Sequence, residues 1–242
     1  FHIEEIPLEE KTFAYNPLID GGPDYSAHWK DGKSLRMSLL GHALNAQATS
    51  LLKSRITKKV IYEVEYNSDE KGRRRTVGQP KNRKGPDIVV MGCSSIFGDG
   101  LRDFETVPSS IQRLLPKSRV LNLGFSGTNS STFVWHFARP RSPVFDDIGE
   151  DAHFVFNYID DHVRRSARSL SWIGSADHLR LEPSFELIGD SEVRYRGSVR
   201  EHFGIYFPIV NLLAKSETIR FLGLEFPWPS ENTIPLQAAL FK

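Results

Sequence analysis

Asp87-Ile88-Val89-Val90-Met91-Gly92-Cys93-Ser94-Ser95-Ile96-Phe97-Gly98 decides how this chain reads. The apolar run between Asp87 and Gly92 has no alternation, which is the pattern of a strand buried on both faces, as in a helix-covered parallel sheet. Gly92 closes the run, and small polar residues follow it. Further on, Thr106 to Leu115 predicts a helix with Val107, Ile111, Leu114 and Leu115 on one apolar stripe. Pro108 suits its first turn, and Pro116 stops it. Val120-Leu121-Asn122-Leu123, ending at Gly124, predicts a second short strand. Strand, loop, helix, strand over about 35 residues is the span of a right-handed βαβ crossover.

Downstream, Ser130 to Ala138 predicts another helix, and His153 to Ile159 a third buried strand. Residues 164–198 are polar and irregular, as in a surface excursion. Val199 to Lys215 is apolar enough for a core helix despite Gly204 and Pro208. Upstream, the turn-rich residues 67–86 mark a boundary, and the solvated-loop reading of Arg73-Arg74-Arg75 is preferred to an anion site. Val60 to Tyr66 alternates in the manner of an exposed strand. Leu39, Leu40, Ala43, Leu44 and Leu51 suggest a helix over Ser38 to Leu52. The expected organisation is an N-terminal accessory region, 1–84, and an α/β domain, 85–242. The latter is read as a three-layer α/β/α sandwich with a mainly parallel sheet.

The whole composition is consistent with a globular fold. The chain has 242 residues, 39% of them hydrophobic, and 31 basic against 30 acidic side chains, so a dedicated nucleic-acid binder is not expected. A single cysteine, Cys93, excludes an intrachain disulfide and cysteine-rich zinc sites. No apolar run reaches the length of a membrane helix. The start at Phe1 rather than Met suggests a removed segment and a periplasmic or extracellular setting, and the C-terminus reads as truncated.

In an open α/β sheet, ligands sit beyond the carboxyl ends of the strands. Three such ends can be read: Gly92-Cys93-Ser94-Ser95, then Gly124-Phe125-Ser126-Gly127-Thr128-Asn129, then Asp160-Asp161-His162. Hydroxyls, glycine turns and titratable groups converge there, as acyl transfer requires. The first two blocks, with Phe104-Glu105-Thr106-Val107-Pro108 between them, resemble those of SGNH/GDSL hydrolases over roughly residues 85–165. The resemblance implies Ser94 as nucleophile, with its N–H and that of Gly127 forming the oxyanion hole. Cys93 stands where the family has aspartate. Asp160 falls where the family has an oxyanion-binding asparagine, a place where an ionised carboxylate would repel the developing charge. Asn157 is read as too deep in its strand to substitute. The family's C-terminal Asp-x-x-His occurs nowhere in the chain, whose last Asp is Asp190 and last His is His202.

Simpler readings stand beside these. Ser94 is also an ordinary turn serine, and a lone cysteine after a buried strand is more often quietly buried than reactive. His162 is the nearest histidine to the edge. Structural hydrogen bonding or ligand contact is preferred for it over service as a substitute base. His178 and His202 are expected on the surface or in the core. Asp160, Asp161 and His162 are adjacent and so point apart, which argues against a metal site. Arg164, Arg165 and Arg168 are expected on a solvated helix face. No metal or other cofactor is expected. The function implied is hydrolysis of a small-molecule or carbohydrate ester, with acetylated polysaccharide preferred. The rival is a catalytically silent SGNH-like domain that binds carbohydrate or a protein partner.

Overall fold

The computed structural model describes residues 24–29, 47–53, 59–138, 143–175, 182–188, 192–216, 218–219, 222 and 224. It is a mixed α/β structure. An antiparallel sheet comes first, in the order β1 (Asp24–Trp29), β2 (Gln47–Lys53), β3 (Val60–Asn67). β3 matches the expected strand. The helix expected over Ser38 to Leu52 is corrected where it can be seen: residues 47–53 are a central strand, paired on both sides, and residues 38–46 lie outside the described residues. Ladder pairing with two neighbours overrides the helical spacing of a few leucines.

A parallel sheet follows, built from β4 (Asp87–Gly92), β5 (Arg119–Gly124) and β6 (His153–Phe156), with β4 in the middle. Val89 and Met91 of β4 join Leu121, Leu123, Phe133 and Val144 in a cluster on one face. Val90 packs with Ile96, Val120, Ile88 and Ile111 on the other. The unbroken apolar run at 88–91 is thus explained, since alternate side chains enter two different cores. β6 departs from expectation. It stops at Phe156, and Phe154 and Val155 are about half exposed, because its one described neighbour is β4. Apolar composition marked a strand there, not its burial.

Two helices follow β4, α1 (Ser94–Phe97) and α2 (Val107–Leu114), and α3 (Ser130–Ala138) follows β5. The stripe expected to bury α2 largely faces outward, with Val107, Leu114 and Leu115 exposed. Instead α2 docks through Pro108, Ser109 and Gln112. The Gln112 amide donates to the Leu115 and Ser118 carbonyls and accepts the Val120 N–H, fixing the turn into β5.

Residues expected as an irregular excursion form α4 (Asp161–Ser166), α5 (Leu170–Ser175) and a hairpin of β7 (Pro183–Ile188) with β8 (Glu192–Ser198). Val199 to Lys215 is not one helix. It divides into α6 (Val199–Phe203) and α7 (Phe207–Ala214) at Gly204, whose φ is 52°, and Pro208 occupies the first turn of α7. Leu170, Trp172, Ile173, Val199 and Ala214 make a separate core.

Of the basic run only Arg75 is exposed as the solvated-loop reading expects; the other two arginines are buried. Arg73 and Arg74 are 5% and 2% exposed. Arg74 donates to Asp103 and to the Leu101 carbonyl, and its guanidinium lies 4.1 Å from the Tyr66 ring centre and 4.8 Å from that of Phe97. Arg73 pairs with Asp69 and Asp147 at 2.7 Å each. Asp147 also takes Arg119, which forks onto Asp87 at 3.0 and 2.8 Å. The ions from Asp69 to Asp87 bind the starting ends of β4 and β5, opposite the edge that carries the serines. Burial alone would raise Asp87. Arg119, the Gly149 N–H and Arg83 outweigh it and hold the carboxyl at about 2.

Asp87→Asn therefore removes the buried carboxylate that Arg119 and Arg83 share and is expected to lose about 2 kcal/mol in a urea melt at pH 7. A folded-state value below the ordinary 3.8 gives stability that is present above 3.8 and lost as pH falls through about 2. The deficit of the variant should shrink across that interval. Glu182 has the opposite sign. It is 4% exposed and accepts from the Thr132 hydroxyl, and burial pushes its carboxyl up to about 7. Stability from the protonated form is full below 4.5 and lost as pH rises through about 7. Glu182→Gln should thus be the more stable protein at pH 8, by roughly 3 kcal/mol in thermal melts.

Candidate active site

β4 and β5 end side by side on Gly92 and Gly124. Neither tolerates a side chain. A Cβ on Gly124 would stand 2.1 Å from the Phe97 nitrogen and 2.5 Å from the Ile96 carbonyl carbon, and one on Gly92 would stand 2.6 Å from Ile96 Cγ1. The backbone of α1 therefore rests directly on the end of β5. Buried Asn122 fastens it from below: Nδ2 donates to the Ile96 carbonyl at 3.0 Å, while Oδ1 accepts the Gly124 N–H at 2.8 Å. Gly98, at φ 84°, ends the turn with its N–H on the Ser94 carbonyl.

This seating sorts the residues of the first block. Cys93, Ile96 and Phe97 are buried, Ser94 is partly exposed and Ser95 is exposed. Ser94 Oγ donates to Cys93 Sγ at 3.9 Å, and Ser95 Oγ donates to Asn157 Oδ1 at 2.9 Å.

The second block folds as a glycine turn whose φ at Gly127 is 78°, a left-handed conformation that favours glycine. The turn is held by its carbonyls. Trp172 Nε1 donates to the Gly127 oxygen at 3.0 Å, and Arg165 Nη1 donates to the Thr128 oxygen at 2.9 Å. Ser126 Oγ donates to Asp99 at 2.6 Å. Arg165 is thus not on a solvated face, and neither is Arg168, which donates to the Ser184 hydroxyl and the Phe185 carbonyl. A charged helix face and a braced loop look alike in sequence, because the carbonyls that receive the arginines are invisible there.

The third block differs most from expectation. With β6 ending at Phe156, Asn157 lies just past the strand. Its N–H bonds the Met91 carbonyl at 2.8 Å, and its side chain meets Ser95. The reading that Asn157 is too deep is corrected: it lies past the strand end, and its side-chain oxygen meets Ser95 at the edge. Asp160 is exposed at the start of α4, with no side-chain cap to that helix. Asp161 is exposed while His162 is fully buried. Among the described residues, no group of histidine, cysteine and carboxylate side chains is placed to hold a metal. None of their helices is long and apolar enough to cross a membrane.

His162 lies between the rings of Phe156 and Tyr158, each 5.5 Å away. Its Nδ1 accepts the Ile159 N–H at 3.4 Å, and Nε2 is buried without a hydrogen bond of normal geometry. The imidazole lies against Cys93. Burial would push that thiol up, but His162, the Ser95 N–H and the charge of Arg165 outweigh it and bring it down to about 6. Cys93 is buried as expected, yet electrostatically it is not quiet. His202 has other neighbours. Burial first, then the charge of Arg168, pushes it down to about 4, with Glu186 opposing. His178 lies outside the described residues.

No protein-family model matches this chain, and no curated protein matches it. Gly124→Ala tests the geometry of the site: a methyl group there meets backbone that cannot rotate away. The variant is expected to lose about 3 kcal/mol in a denaturant melt, whereas wild-type stability would mean that α1 is not seated on β5.

Proposed function

We propose that this sheet edge is the active site of an SGNH-type serine esterase or acylhydrolase, on a three-layer α/β/α sandwich. The carrying observation is the placement of Ser94. Its partly exposed hydroxyl stands one residue into a turn seated on Gly124, and the glycine turn of β5 follows from that same strand end.

In the reaction, Ser94 Oγ attacks the ester carbonyl carbon and gives up its proton as the C–O bond forms. The N–H groups of Ser94 and Gly127 receive the oxyanion, and the Gly127 turn, braced by Trp172 and Arg165, keeps its geometry as charge develops. Asn157 takes the role of third donor, at the place where the family resemblance set Asp160, removing the problem of a carboxylate facing an oxyanion. The proton passes to the departing alcohol oxygen, the acyl group stays on Ser94, and water releases it. The substrate class is a small or carbohydrate ester, with acetylated polysaccharide preferred.

One observation favours a second reading, a catalytically silent domain that binds carbohydrate or a protein partner. Among the described residues, the partner of the Ser94 hydroxyl is a sulfur and not an imidazole.

A fluorophosphonate probe separates the two. Wild-type protein should be labelled on Ser94 by peptide mass spectrometry. Ser94→Ala should abolish labelling and lower aryl-acetate hydrolysis by roughly 10³-fold or more. A folded wild-type protein that takes no label is the silent domain.

A further inference from the structure

The site as described has a nucleophile and oxyanion donors but no assigned base, and beside it lie two buried groups whose arrangement packing alone does not require. Cys93 and His162 are both fully buried, at 0% exposure. A fully buried thiol is poorly placed to attack a substrate itself. Its sulfur nevertheless receives the hydroxyl of Ser94, which is partly exposed, and lies 3.9 Å from Ser95 Oγ as well. Behind it sits an imidazole whose Nδ1 is engaged by the Ile159 N–H and whose Nε2, sealed from solvent, has no hydrogen-bond partner among the described residues. Leaving such a nitrogen unsatisfied in the interior is costly. A negative charge on the neighbouring sulfur would remove that cost by accepting the Nε2–H that this tautomer carries.

We propose that Cys93 and His162 are the proton-accepting pair for Ser94: the Cys93 sulfur takes the hydroxyl proton, and His162 holds that sulfur as a thiolate. The inference rests on reading Ser94 as the nucleophile. The steps balance without any outside reagent. As Ser94 Oγ bonds to the ester carbon, its proton moves to the Cys93 thiolate, giving a thiol and a tetrahedral oxyanion. The thiol proton then goes to the leaving alkoxide as the carbon–oxygen bond to it breaks. In the second half, water attacks the acyl group, gives its proton to the thiolate, and the thiol returns that proton to Ser94 Oγ. Cys93 is thus catalytic, since it touches the reacting oxygen, and His162 is a positioning residue acting through it.

The surroundings favour this charge state. His162 and Arg165 face the sulfur from α4, the Ser95 N–H points to it from α1, and the Arg165 guanidinium is itself 3.7 Å from exposed Asp161. Their combined effect brings the thiol to about 6, and a base that titrates near the working pH is an effective one. The 3.9 Å separation of oxygen and sulfur is long, as such contacts often are before substrate binds.

The chain has one cysteine, so thiolate ultraviolet absorbance reports on this sulfur alone. Wild-type protein should titrate near pH 6, Ser94→Ala should leave that titration in place, and His162→Gln should move it toward the ordinary thiol range of about 8.5. Aryl-acetate kcat/KM should rise with the same midpoint, and Cys93→Ala should lower it about 100-fold while Ser94 remains in place. A wild-type thiol still protonated at pH 8 overturns the pair, and needs no variant to fold. A thiolate at pH 6 with Cys93→Ala hydrolysing within threefold of wild type, while Ser94→Ala is dead, overturns the relay but leaves Ser94 as nucleophile. A thiolate in a folded protein whose Ser94 takes no fluorophosphonate overturns the nucleophile reading, and the relay with it.

Discussion

Gly124 has no side chain because the backbone of the α1 turn occupies that space. Close-packed interiors do not yield by an ångström, so this contact sets the height of the turn above the sheet. Asn122 then locks it, spending one buried amide on the Ile96 carbonyl and the Gly124 N–H together. The exposure of Ser94 and Ser95, and the burial of Cys93 between them and the core, follow from that height. Were α1 to sit further out, Ser95 would no longer meet Asn157, and the sulfur would no longer receive the Ser94 hydroxyl.

The two ends of the parallel sheet do different work. The starting end is held by a chain of ions running from Asp69 through Arg73, Asp147 and Arg119 to Asp87, with most of its members partly or wholly shielded from water. Among the described residues, the finishing end carries no such chain of ions. It is assembled from glycines, hydroxyls and amides. Rigidity at one end and polar, side-chain-poor backbone at the other is the division expected when a fold must position a few atoms without enclosing them.

Much of this was legible in the sequence, and the reasons for the rest are physical. The strands at Asp87, Arg119 and Val60, and the helix at Ser130, announce themselves by local pattern. β2 did not, because its conformation is decided by two pairing partners and not by its own leucines. α2 was found, but its buried face was misread: Ser109 and Gln112 dock it by hydrogen bonds to backbone groups that no periodicity records. Arg73, Arg74 and Arg165 were assigned to solvent, since a charge run does not display the carboxylates and carbonyls, some of them over seventy residues away, that bury it. Ser94 and Gly127 were expected from the blocks around them. Asn157 was set aside because its strand was drawn three residues too long, and the relation between Cys93 and His162 depends on a fold-level approach across β4 and α4.

The account stands on Ser94 Oγ emerging beside the Gly127 turn with backbone donors in reach, and a crystal structure of the protein phosphonylated by a small alkyl fluorophosphonate examines that directly. The prediction is a phosphorus bonded to Ser94 Oγ, its phosphoryl oxygen within hydrogen-bond distance of the Ser94 and Gly127 N–H groups. An adduct on another residue, or a phosphoryl oxygen turned to solvent with Gly127 N–H remote, would contradict it.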